Sequence, residues 1–124
     1  MLFDILSEIV QIDDVLLIVK SNGAVSEVKS NSLGIRQKEK WITIGSNDGP
    51  AHMHINSEQI KSASFVREEK PERTSYSIRF YDECENRVLA AFFTKMYDKP
   101  GIVNPEREKR YENLSKKFGQ KIKF

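Results

Sequence analysis

The spacing of hydrophobic residues changes along the chain, and each change marks an element. Over residues 1–12 the apolar positions Phe3, Leu6, Ile9 and Val10 recur at intervals of three and four, which predicts a short amphipathic helix. The helical period then gives way to Val15-Leu16-Leu17-Ile18-Val19, a continuous β-branched and aliphatic run stopped by Ser21-Asn22-Gly23. Residues 24–30 return with Val25 and Val28, so a hairpin opens the sheet. Residues 31–40 are polar, contain Gly34 and read as a loop. The next strand is Trp41-Ile42-Thr43-Ile44-Gly45, closed by the turn-forming Ser46-Asn47-Asp48-Gly49-Pro50.

An extended segment, Ala51-His52-Met53-His54-Ile55, follows that turn, and Asn56-Ser57-Glu58-Gln59 reads as a cap or a single helical turn. Three further strands are predicted over 63–68, 74–81 and 87–95, joined by short polar turns that favour an antiparallel meander. Val88-Leu89-Ala90-Ala91-Phe92-Phe93 is apolar on both faces, so the last of them should be central and buried. Tyr97-Asp98-Lys99-Pro100-Gly101 makes a loop, after which Asn104 caps a final helix with Pro105 at its first position. Tyr111, Leu114 and Phe118 form the packing stripe of that helix. Helix, about seven strands and helix, with the helices segregated to the ends, is the α+β pattern. The strands should make one antiparallel or mixed sheet that curls toward a barrel, with residues 1–124 as one domain.

Composition narrows the function classes. The chain has 124 residues and a net charge of +2. It contains no apolar run of the roughly eighteen residues that a membrane span requires. No secretory leader is visible at Met1, and the one cysteine, Cys84, lies in a polar turn, so a reducing, cytoplasmic setting is expected. Residues 105–124 carry seven basic side chains against three acidic ones, a local charge of +4. No recognised nucleic-acid motif accompanies that basic helix, and a nucleic-acid partner is not expected.

The two histidines are the most localised chemistry. In an extended segment the period of two puts His52 and His54 on one face, with Ala51, Met53 and Ile55 on the other. Neutral imidazole is a donor to transition metals and to porphyrin iron. A pair without partners in space also reads as ordinary polar-face residues, and a structural zinc would need three or four donors that the chain does not supply nearby. No nucleophilic serine motif, phosphate-binding glycine loop or H-E-x-x-H helix suggests other chemistry.

The run GPAHMHINSEQIKSASFVREEKPERTSYSIRFYDECENRVLAAFFTK, residues 49–95, resembles the haem-utilisation family of HemS and ChuX type. There a strand with spaced histidines precedes an "xFVxE" strand, a "TSxxxRFxD" strand and a final "AFF" strand. The resemblance covers about a third of the chain; the first forty residues match only in outline. It implies a split-barrel sheet that binds haem in a cleft beside it, in a homodimer or in two fused copies, and a single copy of this length implies a homodimer. It places His52 and His54 on the histidine-bearing strand as candidate iron ligands, and Arg73 at the start of the "TSxSxRF" strand. Longer relatives of HemS type carry a ligand histidine on the second strand, where this chain has Val28 and Lys29. Either His52 or His54 then ligates, or a tyrosine among Tyr76, Tyr81 and Tyr97 does, or tight haem binding has been lost. A haem cleft also needs an apolar lining, for which Met53 and Phe65 are candidates, and cations for the propionates, for which Arg73, Arg79 and Lys95 are candidates. Haem uptake, carriage or storage is the implied function, haem degradation stays open, and the alternative is an interaction or ligand-sensing module on the same scaffold.

Overall fold

The computed structural model describes residues 1–124, and the first helix forms where the spacing predicts: α1, Leu2–Val10, buries Leu2, Ile5, Leu6, Ile9 and Val10. Strands β1 (Val15–Lys20) and β2 (Val25–Lys29) make the expected hairpin. β4 (Trp41–Gly45), β5 (His52–Asn56), β6 (Ser62–Glu69), β7 (Thr74–Tyr81) and β8 (Arg87–Phe93) follow, with a 3-10 turn at Ser57–Gln59 whose Glu58 amide donates to Asn56 Oδ1. In α2, Pro105–Phe118, the Asn104 side chain accepts from the Arg107 amide and Pro105 occupies the first turn, as expected.

The sequence pattern missed four short strands. β3 (Ile35–Lys38) lies in the segment read as a loop; it is an edge strand with three exposed residues, held by its backbone ladder to β4, so no apolar alternation announces it. β9 (Tyr97–Lys99) and β10 (Ile102–Val103) pair as a small ribbon turned at Gly101, whose φ is 79°. β11 (Lys121–Lys123) pairs antiparallel with β6 and buries Ile122. β8 stops at Phe93 because Lys95 has φ 53° and breaks the extended backbone.

The strands divide into three ladders where one sheet was expected: β11-β6-β7-β8-β1-β2, β3-β4-β5 and β10-β9. The α+β class holds, and the barrel is split, its curled sheets unjoined by a continuous ladder. As expected, β8 is interior, with Leu89, Ala90, Ala91 and Phe93 buried. Alternation sends Phe65, Tyr76, Ile78, Phe80, Leu89, Ala91, Phe93, Val15 and Leu17 to one face, where they share a core with α1, α2 and the inner face of β4 and β5. No helix is long and apolar enough to cross a membrane.

Tyr111 of α2 centres this core. It is 1% exposed and meets Phe65, Tyr76 and Phe93 edge to face at centroid distances of 5.4, 5.3 and 5.2 Å. Its hydroxyl donates to the Ser77 carbonyl at 2.8 Å, while the Tyr76 hydroxyl donates to Glu108 Oε2 at 2.7 Å. Burial is the first cause that pushes both phenols up to about 12, with Glu108 adding to the rise at Tyr76. A second tie closes the corner between α1 and β1. The Asp14 carbonyl accepts from the Thr94 amide at 3.0 Å, from the Thr94 hydroxyl and from Arg107 Nη2 at 3.2 Å, and Arg107 Nη1 donates to the Asp13 carbonyl at 3.0 Å.

Two outcomes follow for stability. Tyr111→Phe loses one buried hydrogen bond and is expected to cost about 1–2 kcal/mol, whereas Tyr111→Ala empties the aromatic cluster and costs about 3–5 kcal/mol, both read from urea midpoints. Because the folded-state phenol pKa values lie above the ordinary 10, stability is fully present below pH 10 and falls between pH 10 and about 12. That alkaline loss should shrink in Tyr76→Phe and in Tyr111→Phe.

Candidate functional site

The three-stranded sheet has one apolar and one polar face, and its register fixes which residues meet on each. Ile35, Ile44 and Met53 align across β3, β4 and β5, as do Gln37, Ile42 and Ile55, and Ile42, Ile44 and Ile55 are buried. The other face carries the rows Arg36-Thr43-His54 and Lys38-Trp41-Asn56, with Gly45 opposite His52. Burial of the isoleucines therefore turns both histidines outward, and a slip of one residue would reverse the faces. Gly45 has φ 91°, and a Cβ there would lie 2.5 Å from the Ala51 carbonyl oxygen and 3.0 Å from His52 Cα, so only glycine lets β4 close against the histidine strand at this point.

His52 and His54 are both exposed, and their rings meet edge to face with centroids 5.2 Å apart. Thr43 Oγ1 lies 2.9 Å from His54 Nδ1. This contact orients the His54 ring and leaves Nε2 as the outward nitrogen, the arrangement in which an outer partner positions an imidazole ligand. A cavity of about 490 Å³ opens beside His54, lined by Thr43, Trp41, Arg36, Lys38, Glu39 and Asn47. Trp41 is 43% exposed, with the Lys40 ammonium 5.9 Å from its ring centre, and Arg36 Nη1 donates to the Gly45 carbonyl at 3.0 Å. The surroundings are cationic: Arg36, Lys38 and Lys40 outnumber Glu39. No group of three or more His, Cys, Asp or Glu side chains converges to hold a bare metal ion.

The remaining sequence candidates lie elsewhere. Met53 is half-buried on the opposite face of β5, against the core. Phe65, read as a groove residue, is instead 5% exposed beneath Tyr111. Arg73 and Lys95 line a common cavity of about 330 Å³ with Leu16, Ile18, Phe92 and Tyr97, and Lys95 pairs with Asp14 at 3.3 Å. Arg79 is half-buried on β7, paired with Glu68 at 3.3 Å, and lines a third cavity with Tyr81 and Arg87. Thus the two histidines come together, Arg73 and Lys95 come together, and within one chain none of the three predicted cations lines the histidine cavity. Arg36, Lys38, Trp41 and Thr43 were missed as neighbours of the histidines; the alternation of Trp41 and Thr43 was visible, but its register against β5 was not.

No curated protein sequence matches the chain. Among solved structures, the heme-binding protein ChuX is similar with a TM-score of 0.76 at 12% identity, over 92% of this chain and 70% of that one. A protein from Agrobacterium tumefaciens is similar with a TM-score of 0.75 at 22% identity, over 93% of this chain and 65% of that one. Holo-PhuS, a heme-binding protein from Pseudomonas aeruginosa, is similar with a TM-score of 0.71 at 13% identity, over 90% of this chain but only 31% of that one. At these identities the likeness is one of fold. A family model matches residues 3–119, nearly the whole chain, and the chain belongs to the haem-utilisation family of HemS and ChuX type.

Proposed function

We propose that residues 1–124 act as one domain that binds haem on the polar face of the three-stranded sheet and carries or stores it in the cytoplasm. The observation that carries this reading is the histidine face itself: two outward imidazoles, one oriented by Thr43, beside an exposed tryptophan and a cationic rim. Charge favours a porphyrin over a bare ion. Arg36, Lys38 and Lys40 repel a dication but attract a ferric porphyrin, whose two propionates leave it net anionic. When bound, haem would supply an iron able to take an imidazole nitrogen from this chain. His52 or His54 would be that donor, with Thr43 holding the His54 ring, Trp41 offering a flat apolar surface, and Arg36 and Lys38 standing nearest for the carboxylates.

Openness favours carriage over degradation. Both imidazoles are exposed and Trp41 is 43% exposed, so water reaches this face, whereas oxygen chemistry is favoured by an enclosed pocket. An exposed face also suits hand-off to a partner. Arg73, Arg79 and Lys95, first considered for the propionates, serve a haem on this face only if a second copy brings them to it, which gives the expected homodimer a role in the site.

Haemin titration of the purified protein should give a saturable Soret shift, lost in His52→Ala or in His54→Ala. Thr43→Val should weaken binding by about tenfold to a hundredfold, the range expected when an outer partner of a ligand histidine is removed. No saturable shift, or identical spectra in both histidine variants, would transfer the scaffold to a role without haem. Light scattering at micromolar concentration should give the mass of two chains; the mass of one would remove the dimer.

A further inference from the structure

The turn between β1 and β2 is closed by one backbone hydrogen bond, from the Ser21 amide to the Ala24 carbonyl at 2.9 Å, and all four residues from Ser21 to Ala24 are exposed. Asn22 and Gly23 stand at its tip. The Gly23 amide donates to no backbone carbonyl, and whereas the carboxamide oxygens of Asn31, Asn56 and Asn104 each accept a main-chain amide, that of Asn22 accepts none. A Cβ added at Gly23 would meet nothing within 4 Å, and Gly23 lies outside the left-handed region, so the fold does not require glycine here. The missing Cβ has a chemical consequence instead. It lets the Gly23 nitrogen approach the Asn22 side chain unhindered, at a loop tip where the chain is free to rotate.

The other pair of this type, Asp48-Gly49, is held differently. The Gly49 amide donates to the Ser46 carbonyl at 2.9 Å, and a Cβ at Gly49 would lie 3.3 Å from that same oxygen, so the nitrogen is engaged in a closed turn. Asn104 precedes Pro105, which has no N–H to lose.

We propose that Asn22-Gly23 is a self-modification site, at which the protein converts its own asparagine to isoaspartate and aspartate. The Gly23 nitrogen attacks Asn22 Cγ and gives up its proton; the new C–N bond closes a succinimide ring, the Cγ–Nδ2 bond breaks, and ammonia leaves with that proton. Water then opens the ring. Attack of water at the main-chain carbonyl carbon leaves the backbone running through the side chain as isoaspartate, and attack at Cγ gives aspartate on an unaltered backbone. No oxidant or reductant is needed.

Position 22 gains a carboxylate by either route. Asn22 lines a cavity with Lys20, Arg79 and Arg87, and neither Lys20 nor Arg87 forms an ion pair, so the surrounding charge favours the product. Isoaspartate also lengthens the backbone by a methylene in the turn that sets the β1–β2 register. β2 is an edge strand whose one partner is β1, and Val25, Ser26, Glu27 and Lys29 are exposed, so the ladder and not burial holds it. A lengthened turn therefore loosens β2.

The test is prolonged incubation of the full chain in mildly alkaline water enriched in heavy oxygen, followed by trypsin digestion in ordinary water and mass spectrometry. Cleavage after Lys20 and Lys29 isolates residues 21–29, in which Asn22 is the one amide side chain. Two products of that peptide are expected, each carrying one heavy oxygen, formed in the folded chain about as fast as in the synthetic peptide of the same sequence. Gly23→Ala, which the open turn accommodates, should slow the conversion several-fold. The β2 amides should exchange with deuterium faster in the isoaspartate form than in Asn22→Asp, which carries the same charge on an unaltered backbone. A folded chain that converts far more slowly than the peptide, as when a dimer covers the turn, overturns the site, and so does an unchanged rate in Gly23→Ala. Equal exchange in the two forms overturns the loosening of β2.

Discussion

The corner at Asp13 and Asp14 holds the layers of this protein in place. One peptide carbonyl, that of Asp14, accepts the amide and hydroxyl of Thr94 and a guanidinium nitrogen of Arg107, so the start of β1, the end of β8 and the first turn of α2 converge on a single acceptor. The turn is conformationally demanding, since Asp14 adopts φ 62°, and Lys95, also left-handed at φ 53°, reaches back to its carboxylate. Burial pushes the Asp14 carboxyl up, but hydrogen bonds from Lys95 and Asn31 and the charges of Lys95 and Arg107 hold it below the usual range. The consequence is architectural. With α2 tied to this corner and Tyr111 seated on Phe65, Tyr76 and Phe93, the helix covers one face of the six-stranded sheet and leaves the other to its own side chains.

The smaller sheet uses a different constraint to the same end. Its inner face must bury Ile42, Ile44 and Ile55, and because strand side chains alternate, the residues between them have to face outward. His54 thereby lands opposite Thr43 and His52 opposite Gly45, and the glycine is required where β4 and β5 come closest. The chemistry of the polar face is thus a by-product of packing on the apolar one. His54 is held by the buried Thr43 across the ladder, which is how an outward, accessible ring can still be well oriented.

Much of this was legible from residue pattern because the responsible forces are local. The helix ends obeyed capping chemistry at Asn104 and Pro105, the β1–β2 turn obeyed Ser21-Asn22-Gly23, and the buried strand Arg87–Phe93 announced itself by being apolar on both faces. The omissions share a cause as well. Ile35–Lys38 and Lys121–Lys123 are edge strands stabilised by backbone pairing to a neighbour, and a ladder leaves no mark on side-chain hydrophobicity. The site was legible only as far as the pair itself. That His52 and His54 share a face follows from the period of two, but which residues stand across from them depends on strand register, so Thr43, Trp41, Arg36 and Lys38 could not be read. For the same reason the grouping of Arg73 with the histidines rests on the resemblance and that of Arg79 and Lys95 on chemical type, and within one chain the fold places all three at other cavities.

A net charge of only +2 conceals how unevenly the cations are neutralised. Several carboxylates are engaged in joining elements: Glu8 to Lys117, Glu112 to Arg67, Glu68 to Arg79 and Lys70, Asp14 to Lys95, and Glu108 to the Tyr76 hydroxyl. Arg36, Lys38 and Lys40 on the small sheet, and Lys20 and Arg87 at the end of the large one, have no such counterpart. Exposed ion pairs add little stability, so the functional consequence of this distribution lies in the cations it leaves unpaired. Two of these cations lie beside an aromatic side chain, Lys40 at Trp41 and Arg87 at Phe92. A cation beside an apolar ring is complementary to ligands that are themselves half apolar and half anionic. A porphyrin dicarboxylate is a ligand of that kind, and the histidine face is the cationic surface that also presents imidazoles.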